Sequence, residues 1–143
     1  MLTDDIADPD AVTPEELRAD YLSTLRDVVE SGGVDAVAEQ SGVSTERLDA
    51  LVAGESLTFT LEEAAGILGT SDDWPAAEDI LLEVRDHVML QMSSAVMDVD
   101  ALAAGLDGDL DPKEIQQKIE GRQPMTLAEY ARIYRHIASE NPY

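Results

Sequence analysis

The chain has 143 residues and only two lysines, and both fall in one short stretch, Asp111-Pro112-Lys113-Glu114-Ile115-Gln116-Gln117-Lys118-Ile119-Glu120-Gly121-Arg122-Gln123. At helical spacing Lys113, Gln116, Gln117 and Glu120 share one face, with Arg122 and Gln123 just beyond it. Ammonium and guanidinium groups donate to guanine edges and to phosphate, and a glutamine amide matches the donor and acceptor pair of an adenine edge. Arg132 and Arg135 add two more cations further along, with Tyr130 and Tyr134 beside them to pack beneath. The candidate set is Lys113, Gln116, Gln117, Lys118, Arg122, Gln123, Arg132 and Arg135, and its chemistry is the binding of a polyanion rather than catalysis. An ordinary solvated helix face uses the same residue types, so position has to decide between the two.

Other chemistries are poorly served. There is no Cys, which excludes thiol nucleophiles, thiolate metal sites and disulfides. Asp107, Asp109 and Asp111 alternate like the start of a calcium loop, but Pro112 stands where such a loop needs Gly and Lys118 where it needs the closing Glu. His87 falls mid-helix and His136 near a helix C-terminus, neither with a partner at ligand spacing. No glycine loop cradles phosphate, and no Gly-x-Ser-x-Gly or Ser/His/Asp spacing stands out. The reading is non-enzymatic, with no metal and no cofactor.

Charge sets a second constraint. The formal net charge is −22, and residues 1–110 carry all of it, while residues 111–143 balance five acids against five bases. Such acidity ordinarily repels nucleic acid and anionic membranes. Apolar residues nevertheless recur at helical spacing throughout, which argues against a disordered chain. The longest apolar runs are far shorter than the roughly 20 residues of a membrane helix. The start, MLTDDIADPDAV, lacks the basic and apolar regions of a signal peptide, so a soluble cytoplasmic protein is expected.

The elements that must position these residues are legible from their punctuation. Residues 1–12 read as a flexible acidic arm. Thr13-Pro14-Glu15-Glu16 is a capping box with Pro at the first helical position, and Gly32-Gly33 ends the helix it opens. Short helices follow at about Val34–Gln40 and from a Ser44 cap to about Ala53, separated by Gly42 and stopped by Gly54. Thr60-Leu61-Glu62-Glu63 opens another helix through Leu68. Pro75 is expected as the first position of the longest helix, whose apolar face is Ile80, Leu81, Val84, Val88 and Met92. Asp98 caps a helix to Leu106, Asp111-Pro112 opens one to Glu120, and Thr126-Leu127-Ala128-Glu129 opens a last one to about Ser139.

The halves match at an offset of 65 to 67 residues. Val34–Ala38 aligns with Val99–Ala103, Gly54 with Gly121, Thr60-Leu61 with Thr126-Leu127, Ala65 with Ala131, and Ile67 with Ile133. The expected fold is all-α, with eight helices in two related four-helix units, 13–70 and 71–143.

Within 34–69, Ala38 stands where two helices cross closely, Gly42 in the turn and Val43 after it; Val37, Leu48 and Leu51 take apolar positions, and a third helix begins at Thr60. In these residues the segment resembles the helix-turn-helix of Cro/repressor-type (XRE) DNA-binding domains. The second unit is similar as a degenerate copy, its turn Gly-Leu-Asp-Gly-Asp-Leu departing from the pattern. The whole chain also resembles an uncharacterised haloarchaeal family, and its acid-rich, lysine-poor composition resembles salt-in halophile proteins. At about 1 M salt the Debye length is roughly 3 Å, so long-range repulsion from DNA would be screened.

The resemblance implies a recognition helix in the major groove. In the first copy its outward positions are Ser44, Thr45, Glu46, Asp49, Ala50 and Ala53, with only Arg47 nearby, which suits a structural role better than groove binding. The second copy has the better reading chemistry. The expectation is a helix-turn-helix protein binding double-stranded DNA, a transcriptional regulator of a halophilic archaeon. The alternative is a protein-interaction module without DNA contact, supported by the cluster of Met89, Leu90, Met92 and Met97. A homodimer through the long helices would serve either.

Overall fold

The computed structural model describes residues 2–4, 6 and 8–142, and eight α-helices account for most of them. In order these are α1 (Pro14–Gly32), α2 (Val34–Ser41), α3 (Thr45–Val52), α4 (Leu61–Leu68), α5 (Ala77–Ser94), α6 (Val99–Gly105), α7 (Pro112–Ile119) and α8 (Leu127–Glu140), preceded by a short 3-10 turn at Pro9–Ala11. Local chemistry fixes their starts. Thr13, Thr60 and Thr126 each form a reciprocal capping box with the Glu three residues on, and Ser44, Asp98 and Asp111 cap α3, α6 and α7 with a single side-chain bond. Each cap contributes on the order of 1 kcal/mol. Gly42 closes α2 in the left-handed region (φ +79), which a side chain would strain.

One boundary differs from the sequence expectation. Helix α5 starts at Ala77 with Ala76 as its cap, so Pro75 lies outside it, and at 18 residues it is second in length to the 19-residue α1. Pro75 restricts the residue before it, not the two after, and leaves the helix free to start later.

The apolar faces of all eight helices meet in one buried cluster. The long first helix of each half lies along the last helix of the other: α1 along α8, and α5 along α4. Where α4 and α8 begin, Thr60 and Thr126 form an isolated antiparallel bridge. The Leu61 N–H donates to the Met125 carbonyl at 2.8 Å, and the Leu127 N–H donates to the Phe59 carbonyl at 2.9 Å. The two capping boxes therefore meet back to back, with Phe59, Leu61, Met125 and Leu127 buried around them.

The acidic segment expected as a free arm is seated along α8 in its described residues, while Met1, Asp5 and Ala7 lie outside them. Leu2 is buried, and its carbonyl accepts from the Tyr130 hydroxyl at 2.6 Å; the Asp4 carbonyl accepts from Tyr134 at 2.9 Å. The segment docks through backbone oxygens, which its acidic composition does not reveal.

Candidate functional site

Helix α7 is positioned by its Asp111 cap, by buried Ile115 and Ile119, and by packing against α6. The connection between them passes through Asp107 and Gly108, both left-handed (φ +60 and +75), and is longer than the turn at Gly42. Arg132 pins that connection. Its guanidinium donates to the Leu106 carbonyl at 3.2 Å and to Asp109 Oδ2 at 2.9 Å.

The eight candidate residues divide into two groups. Lys113, Gln116, Gln117, Arg122 and Gln123 come together on the outer face and C-terminal end of α7. Lys113 and Gln116 are exposed, Gln116 Nε2 donates to Glu120 Oε1 at 3.1 Å, and the Gln117 and Gln123 side chains bond each other. Arg122 is exposed and paired with Glu120. Lys118, Arg132 and Arg135 are placed elsewhere. The Lys118 side chain is only 12% exposed, and its ammonium sits 2.5 Å from Glu129 and 3.9 Å from Glu114. Arg135 Nε donates to the carbonyls of Pro9 and Val12 at 2.9 and 3.1 Å, holding the N-terminal segment. Tyr130 and Tyr134 are buried and stacked on each other at 5.5 Å, rather than lying beneath surface arginines.

The first half handles its cations in the same way. Arg47 on α3 pairs with Glu63 on α4, donates to the Thr58 carbonyl at 2.7 Å, and stands 4.5 Å above the Phe59 ring. Glu63 and Glu129 are the capping-box carboxylates of α4 and α8, so in each half a base from the preceding helix neutralises a cap. The Arg47 hydrogen bond holds Glu63 below its usual pKa against the opposing pull of burial. At Glu129 burial works to raise the pKa, but the Lys118 hydrogen bond and the Thr126 cap outweigh it and the net shift is downward.

A second surface lies beside α7. Helix α5 buries Ile80, Val84, Val88 and Met92, which leaves Leu82, Met89 and Leu90 off the buried stripe. Met89 is 54% and Leu90 63% exposed, and Val96, just past the helix, is 91% exposed with φ +52, a conformation strained for a β-branched residue. A groove of about 370 Å³ opens between α5, α6 and α7, floored by Met89, Met92, Met97, Val99 and Ile119 and edged by Asp98, Gln116 and Glu120.

The groove has a counterpart that is closed. Matching buried positions pairs Tyr21 with Val84, Leu25 with Val88 and Val29 with Met92. That register, which holds for α1 and α5 only and is shorter than the offset aligning α2 with α6, sets Arg26 opposite Met89. In the first half α1 packs against both α2 and α3, and Arg26 Nε donates to the Leu51 carbonyl at 2.8 Å at the end of α3. Helix α5 makes no comparable packing with α6 or α7. Helical spacing alone places Leu82 and Leu90 off the α5 stripe; what it misses is that no neighbouring helix covers them.

Among the described residues no cluster of His, Cys, Asp or Glu is arranged to hold a metal ion. No helix there is long and apolar enough to cross a membrane.

Fold and surface together define an all-helical protein with an interlocked core and an open apolar groove. The chain belongs to a family of unknown function, DUF5791, whose sequence pattern matches residues 17–140. No curated protein and no solved structure matches it.

Proposed function

We propose that this protein is a non-enzymatic protein-interaction module built on a helix-turn-helix-like scaffold, without DNA contact. The observation that supports this reading is the contrast between its two surfaces. Lys118 on α7, Arg122 just beyond it, and Arg132 and Arg135 on α8 are engaged by acceptors of the same chain, whereas α5 leaves large apolar side chains uncovered in a chain of net charge −22. Exposed Met and Leu beside a groove suit adaptable binding of a partner. Cross-linking in intact cells followed by peptide mass spectrometry tests it: intermolecular links to a defined partner are expected, and selective retention of genomic fragments by the purified protein in molar KCl would overturn it.

One observation favours a second reading, binding of double-stranded DNA by a transcriptional regulator of a halophilic archaeon. Lys113, Gln116, Gln117, Arg122 and Gln123 share a surface in the one charge-balanced part of the sequence. On that reading Lys113→Glu abolishes fragment retention at unchanged stability. The same reading includes Lys118, Arg132 and Arg135, whose side chains bond Glu129, Asp109 and the Pro9 carbonyl in this structure.

A further inference from the structure

We infer that the groove between α5, α6 and α7 is the docking site for a basic amphipathic helix of a partner protein. The apolar anchors of that helix enter the floor of Met89, Met92, Met97 and Val99, and its arginines or lysines meet Glu120 and Asp98. This rests on the interaction-module reading and specifies its partner.

The chemistry of the occupant follows from charge and from the closed counterpart in the first half. The groove is lined by two carboxylates and no cation. Asp98 already caps α6, accepting from Ala101 N–H at 2.8 Å, and Glu120 is held by Gln116 and Arg122, both reachable from solvent. A carboxylate so placed retains lone pairs for a second donor. Asp86, exposed on α5, adds a negative charge one turn from Met89 and Leu90.

The floor ends at Ile119 and Glu120, the C-terminal end of α7, where the helix dipole favours a cation. In the first half that position is served from within, by the Arg26 guanidinium on the Leu51 carbonyl. In the second half the matching residue is Met89, which brings apolar surface and no donor. The cation that α5 does bring to this end is Arg85, whose guanidinium stands against Gly121 just past α7; it lines a separate, smaller crevice with Leu81 and Lys118 and is not part of the groove.

A second copy of this chain is the wrong occupant, since it carries the same −22 charge with only nine basic residues, most of them committed to internal acceptors. Among the described residues an extended strand has no sheet to join. A helix laying apolar anchors at i, i+3 or i+4, and i+7 into a methionine floor, with basic residues at the lips, fits both features.

The test uses the full chain and three labelled 18-residue helical peptides, at the lowest KCl concentration where far-UV circular dichroism remains native. One peptide carries Leu and Phe anchors flanked by Arg; the second replaces Arg with Gln; the third keeps Arg but replaces the anchors with Ser. Fluorescence anisotropy should show the first binding about tenfold tighter than either other, a difference of roughly 1.4 kcal/mol. Met89→Arg, which supplies the internal guanidinium of the first half, should remove that binding. Asp98→Asn with Glu120→Gln should erase the preference for Arg over Gln while keeping the α6 cap.

Equal binding of all three peptides, binding of none, or indifference to Met89→Arg would overturn the inference. So would a dimer in sedimentation equilibrium that Met89→Arg dissolves, since the occupant would then be a second copy. None of these outcomes touches the cell cross-linking result, so the interaction-module reading stands or falls separately.

Discussion

The first half of the molecule and the second half begin from similar parts and finish differently. In the first, α1 covers α2 and α3, and arginines close the seams: Arg18 donates to the Ser56 hydroxyl and the Leu57 carbonyl at 2.8 and 2.6 Å, and Arg26 to the Leu51 carbonyl. In the second, α5 stands away from α6 and α7, and the matching position is Met89. The difference is that α1 is sealed against α2 and α3, with an arginine at the seam, while α5 is not sealed against α6 and α7 and carries a methionine there. On the proposed function, the sealed half contributes stability and the open half the surface for recognition.

Breaking the seals should separate these roles. Arg47→Met removes an ion pair, a bond to Thr58 and the contact with Phe59 at once, and is expected to cost about 2 kcal/mol by chemical denaturation. Its deficit should depend on pH. The folded-state pKa of Glu63 is lowered from 4.5, so its contribution is present above that value and lost as pH falls through the lowered one. The gap between wild type and Arg47→Met should therefore narrow in acid below pH 4.5. Arg26→Met, which gives the first half the residue of the second, should cost about 1–2 kcal/mol and lower Tm by a few degrees.

Lys118→Met tests the equivalent pair in the second half. Its partner Glu129 is partly exposed, so about 1 kcal/mol is expected after solvent screening, with the same narrowing in acid. A lysine that instead served a ligand would leave the denaturation midpoint unmoved. Val96→Gly relieves the strained backbone just past α5. It should gain about 1 kcal/mol, read as a raised Tm, with no change in the groove. Met89→Arg should shift stability least, by under about 0.5 kcal/mol, because Met89 is already half exposed.

Most of the helical framework was legible because its signals are local. A capping box needs residues three apart, and a glycine stop needs one, so Thr13, Thr60, Thr126 and Gly42 announced their elements. The candidate site was legible only in part. Gln116, Gln117 and Arg122 share a surface as their helical spacing implies. The commitment of Lys118 to Glu129, of Arg132 to Asp109 and of Arg135 to Pro9 and Val12 depends on contacts 11 to 126 residues apart. Residue type alone does not distinguish a cation aimed at a ligand from one aimed at a distant carbonyl. The exposed flank of α5 had the opposite difficulty. Its periodicity was visible, but whether another helix covers it is decided by how far α6 and α7 lie from α5.

The cross-lacing of long and terminal helices has a consequence for synthesis. Helix α1 ends at Gly32, and the helix that covers it, α8, begins only at Leu127. At roughly 5–20 residues per second, some 5 to 20 seconds of translation separate the two. Through that interval the flank of α1 around Tyr21, whose ring meets Tyr130 of α8, emerges without its final cover. A nascent chain of this design is exposed to premature association for most of its elongation.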